Sequence, residues 1–140
     1  MRKIVCALLA VLTILTFSVK VLAAHSELHG PISPQFTHIS HVMARLSISA
    51  WGEAACSGSV ALYSRSDTAT LIMELQRRDG NGWSTVKSWT SSGPGLPGVY
   101  MDNYHWVVRG TYRVRCIARA HSASGVLLEE VSLLSHEVTH

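Results

Sequence analysis

Cysteine, histidine, and a set of tryptophans and arginines are the side chains of this 140-residue chain that could carry chemistry. Cys56 and Cys116 stand about sixty positions apart and lack the C-x-x-C spacing of redox-active pairs, so a structural disulfide is their expected chemistry. The eight histidines do not form a metal set. His25 and His29 are four apart, and His38 and His41 are three apart, on opposite faces of any strand. Zinc needs three or four convergent ligands, and no cysteine, histidine or carboxylate spacing here supplies them. No metal and no cofactor is expected. His105, His121, His136 and His140 read as solvated side chains.

The aromatic candidates are sharper. In W-S-T-V-K-S-W, Trp83, Thr85, Lys87 and Trp89 share one strand parity. Two indoles beside a lysine could stack on sugar rings or on a peptide. The competing role is packing at the edge of a core, with each indole N–H satisfied at the rim. Trp51 lies at a turn and is expected to be exposed, whereas Trp106 is expected to be buried. Arg113, Arg115 and Arg119 alternate along one segment, with Arg109 just before it. They face either an acidic partner or cross-strand acids, with Glu74 on one neighbour and Glu129 or Glu130 on the other. The candidate binding surface is therefore Trp51, Trp83, Trp89, Arg113, Arg115 and Arg119.

Catalytic signatures are missing. The chain has no G-x-S-x-G elbow, no H-E-x-x-H, no phosphate-cradling glycine loop and no dinucleotide fingerprint. A non-enzymatic domain is the expected reading. A small hydrolase with a triad drawn from distant positions is the enzymatic alternative.

The elements that must position these residues alternate with a period of two. Around H-V-M-A-R-L-S-I-S-A, residues Val42, Ala44, Leu46 and Ile48 share one face, opposite Arg45, Ser47 and Ser49. Cys56, Gly58, Val60 and Leu62 form the next apolar face, then Leu71, Met73 and Leu75. D-G-N-G at 79–82 predicts a hairpin turn. The return arm spans 83–90, and the Pro- and Gly-rich stretch 91–98 predicts a crossing loop. A fifth strand over 99–108 gives Tyr100, Tyr104, Trp106 and Val108 one parity. In the sixth, Tyr112, Val114, Cys116, Ala118 and Ala120 point inward and the three arginines outward. The closing stretch from Val126 also fits a short helix, but six strands before it favour a seventh. Both cysteines thus fall on inward faces. The fold expected is all-β, a sandwich of about seven antiparallel strands with one inter-sheet disulfide.

The chain opens with Arg2 and Lys3, an apolar run to Val19, and small residues at Ala23 and Ala24. These are the marks of a secretory signal, expected to span 1–23, with an uncleaved anchor as the alternative. Cys6 lies inside the apolar run, away from the cleavage point. A flexible segment over 24–37 and a single domain over 38–140 complete the expected organisation. Of the 12 basic residues, Arg2, Lys3 and Lys20 leave with the signal, so nine remain against nine acidic ones. That balance excludes a basic nucleic-acid footprint and a polybasic membrane surface. It also favours pairing for the arginine stripe. The expected location is extracellular, with a protein or a glycan as partner and no membrane association after signal removal.

Three stretches together carry a resemblance: L-S-I-S through A-A-C-S-G-S-V, then I-M-E-L-Q-R-R-D-G-N-G-W-S-T-V-K-S-W, then G-T-Y-R-V-R-C. Over roughly residues 46–120 the chain resembles a family of small secreted proteins, mainly from Gram-positive bacteria, known as a domain of unknown function. The resemblance implies an immunoglobulin-like or fibronectin-III-like β domain outside the cell and brings no catalytic residues. Antibody domains place a tyrosine two residues before the second cysteine and a core tryptophan in the third strand. Here Tyr112 stands four before Cys116, and the third strand offers Leu71, Met73 and Leu75, which shifts the analogy toward fibronectin III. A secreted interaction or structural domain is the function expected, with a carbohydrate-binding module as the alternative.

Overall fold

A computed structural model describes residues 36–140. The expected signal over 1–23, its cleavage point, nearly all of the 24–37 segment and the His25 and His29 pair lie outside the described residues. Within them the chain forms β1 (Ile39–Ile48), β2 (Glu53–Leu62), β3 (Thr68–Asp79), β4 (Gly82–Pro94), β5 (Val99–Trp106), β6 (Thr111–His121), β7 (Leu127–Leu134) and the two-residue β8 (Val138–Thr139). The seven expected strands are present, and the closing stretch is a strand.

Two antiparallel sheets result. The first has the order β1-β2-β5, and the second β4-β3-β6-β7, with β8 also paired to β6. Their inner faces interlock in one core. Leu46, Ala54, Cys56, Val60, Leu62, Val99 and Met101 come from the first sheet, and Leu71, Met73, Leu75, Tyr112, Val114, Cys116 and Ala118 from the second. Strict alternation makes this possible: in β2 and in β6 every second residue is buried. At about 1.5–3 kcal/mol for each large apolar side chain removed from water, this shared face is the main stabilising term of the fold.

Tight chemistry joins β3 to β4. The loop is Gly80–Asn81, and the positive φ falls on Gly80 alone at 58°, as a turn with glycine at its first central position requires. The crossing between sheets is shorter than the sequence predicts. Ser91–Pro94 continue β4, pairing with Leu71 through Thr68, and only 95–98 pass from one sheet to the other. A proline is tolerated there because β4 is an edge strand whose outer side needs no donor.

Tyr112, fully buried at the start of β6, donates its hydroxyl to the Val108 carbonyl at 2.8 Å. This bond ties the β5–β6 connection to the core. Cys56 and Cys116 occupy inner faces of opposite sheets, as their parity requires. They are two buried thiols and not the expected disulfide. The sulfur of Cys116 fills the space above Gly58, where a Cβ would come within 2.6 Å of it.

Candidate functional site

The outer face of the first sheet carries the largest exposed aromatic side chains that regular strand structure presents. On β5 the inward parity holds Val99 and Met101, so Tyr100, Tyr104 and Trp106 face out, at 63%, 61% and 66% exposure. This corrects the expectation that Trp106 is buried. Asp102 lies on the same parity as these rings, and burial of that face would have stranded its carboxylate.

The neighbouring strand is small-residued. Register places Tyr104 beside Ala55, Asp102 beside Ser57, Tyr100 beside Ser59 and Trp106 beside Glu53. Ser57 Oγ donates to Asp102 Oδ1 at 2.9 Å, which orients the carboxylate along the face. Beyond β2, β1 continues the same rows with Ser47, Arg45 and Met43. The result is a low strip of alanine and serine flanked by an aromatic wall on β5. At one end His41, Ser59, Ala61, Pro97 and Tyr100 surround a recess of about 300 Å³. At the other end Trp51, 87% exposed as expected, stands on the β1–β2 turn. That turn is held to the end of β5 by Val107 N–H donating to the Gly52 carbonyl at 2.8 Å.

The other two tryptophans do not form the expected common platform. Val86 is an extra residue in β4, between Lys87 opposite Leu75 and Thr85 opposite Gln76. Such a bulge reverses the parity of everything beyond it. Trp89, opposite Met73, therefore packs half-buried against the core. Trp83, opposite Arg78, lies on the outer face of the second sheet. The guanidinium groups of Arg113 and Arg78 lie over its ring, 4.1 and 4.9 Å from the centroid.

The arginine stripe is absorbed by its neighbours. Arg115 reaches Glu74 at 3.8 Å and donates to Ser132 Oγ at 3.0 Å, and Arg119 pairs with Glu130. Arg113 donates to Gln76 Oε1 at 2.9 Å, and Gln76 in turn donates to Glu74 Oε2 at 3.1 Å. Exposed pairs of this kind contribute about 0–1 kcal/mol each, so they shape the surface more than they stabilise it. Glu129 is not a partner of these arginines. Its carboxylate accepts three backbone N–H groups, from Thr37, His38 and Ile39, at 3.1, 2.8 and 2.8 Å. Desolvation pushes its pKa up, but the three amides and nearby His38 outweigh it and hold the pKa below the usual carboxylate value. This clamp joins the entry to β1, Thr37 through Ile39, to β7, and no local motif announces it.

Among the described residues, no three His, Cys, Asp or Glu side chains are grouped to hold a metal ion. Both thiols are poor nucleophiles. Burial, then Cys116 and Asp102, pushes Cys56 up to about 12, and burial pushes Cys116 to about 12.

No family model, curated protein or solved structure matches the chain.

Proposed function

We propose that this chain is an exported, non-enzymatic binding domain whose recognition surface is the outer face of the first sheet. The observation that carries this reading is the row Tyr100, Tyr104 and Trp106, all exposed beside the small residues Ala55, Ser57 and Ser59. Large rings held outward on a rigid strand are costly to leave in water, and contiguous apolar surface of this kind marks interaction sites. The opening Arg2, Lys3 and the apolar run to Val19 support export.

A fibronectin-III-like sandwich is the fold type that goes with this reading. Its support is the placement of β4 beside β3, with three strands left in the first sheet, where antibody constant domains keep four. The Tyr112–Val108 bond at the β5–β6 corner belongs to the same picture. Cys56 and Cys116, buried thiols on facing inner sheets, are the pair that an oxidising compartment would close into an inter-sheet disulfide.

A glycan ligand is the second reading, favoured by Ser59 beside Tyr100 and by the Ser57–Asp102 pair between the rings. Glycan arrays and affinity capture from extracellular fluid, run with wild type and with the Tyr104→Ala/Trp106→Ala variant, test both readings. A ligand retained by wild type and lost by the variant is expected. Retention equal in both overturns the assignment.

A further inference from the structure

The four sheet edges are not alike. β1 carries a register irregularity between Ile39 and His41, and its outer face bears Arg45. β4 carries the bulge at Val86, together with Lys87 and Pro94. The pairing of β7 with β6 is irregular at Ala120 and His121, and β7 bears Glu129 and Glu130. Bulges, prolines and charges are the devices by which sandwiches keep their edges from joining other strands. β5 has almost none of them. It pairs with β2 over eight consecutive positions without a shift, and Val99–Trp106 contains no lysine, arginine or proline. Its one acid, Asp102, is already held by Ser57. No strand lies on its other side among the described residues.

We infer that β5 is a self-pairing edge and that two copies of this chain join through it as an antiparallel, two-fold dimer. An identical edge is the natural complement in a two-fold interface, because the same patch serves both sides. Side-chain parity then selects the register. Residues that stand opposite each other must point to the same side of the joined sheet, which leaves two central alignments. One sets Asp102 against the partner's Asp102, and like charges directly opposite are destabilising. The other centres on Asn103. It sets Trp106 against the partner's Tyr100 and Tyr104 against the partner's Asp102. Two symmetry-related aromatic pairs form, and no carboxylate faces another. The joined sheet has six strands, and its outer face brings the two aromatic rows into contact.

Sedimentation of the purified protein over a wide concentration range, with hydrogen exchange at both ends of that range, tests this. A monomer–dimer equilibrium is expected, with added amide protection in the dimer confined to Val99–Trp106. Trp106→Lys, an exposed position, should leave the monomer folded by circular dichroism and weaken self-association by about tenfold or more. A protein that stays monomeric throughout overturns the inference, as does a dimer whose added protection falls on β1, β4 or β7. Both measurements use no ligand, so their outcome is separate from that of the binding assays on the outer face.

Discussion

Cys116 and Gly58 interlock across the two sheets: the sulfur stands where a side chain on Gly58 would begin, 2.6 Å from the Cβ position. Met73 Sδ crowds the same point from 3.3 Å. Gly58→Ala is therefore expected to destabilise the domain by about 1–3 kcal/mol, as overpacking does. Urea unfolding should show a lower midpoint with an unchanged slope. Adding Cys116→Ala should recover part of the loss, because the two changes share one space.

The thiols set a second test. With both pKa values raised to about 12, neither cysteine should react with a thiol reagent at neutral pH until the protein unfolds. Fast labelling of folded, reduced protein would contradict their burial. The raised values also set an alkaline limit. The stability contributed by keeping the thiols neutral is complete below the ordinary value of 9.0 and is lost as pH rises toward about 12. Oxidation to the disulfide, which closes a loop of about sixty residues, should add ~4 kcal/mol in the chain-entropy model. Paired unfolding curves with and without reductant measure it.

Glu129 has the opposite pH dependence. Its pKa is lowered in the folded chain, so its contribution is present above the ordinary carboxylate value of 4.5 and disappears as pH falls through the lowered one. Acid should therefore release the start of β1 first, seen as faster amide exchange at His38 and Ile39. Glu129→Gln replaces an acceptor oxygen with a donor and should cost about 1 kcal/mol at neutral pH. Exchange at these amides unchanged in the variant would remove the clamp from the account.

Tyr112→Phe deletes only the hydroxyl that Val108 accepts. A loss of about 1 kcal/mol is expected, with the β5–β6 corner exchanging faster than the rest of the core. A loss spread evenly over the domain would assign Tyr112 to packing alone.

Much of this fold was legible because parity was. The alternation at Cys56, Gly58 and Val60, and again at Val114, Cys116 and Ala118, identifies the inner faces without any long-range information. The candidate site was less so. Nothing in W-S-T-V-K-S-W marks Val86 as an extra residue, so simple alternation puts Trp83 and Trp89 on one face, which the bulge divides. For Tyr100, Tyr104 and Trp106 a signal existed: Asp102 shares their parity, while Val99 and Met101 supply the apolar alternative. Aromatic bulk argued for burial, and the carboxylate decided against it. The Glu129 clamp joins residues some ninety positions apart, and such contacts follow from topology and not from local pattern.

The most direct measurement compares ligand retention, on glycan and protein arrays, by wild type, by Tyr104→Ala/Trp106→Ala and by Trp83→Ala. The first variant is expected to lose the bound ligand while Trp83→Ala, altered on the opposite sheet, retains it. Retention by the Tyr104/Trp106 variant together with loss by Trp83→Ala would contradict it and move the binding surface to the second sheet.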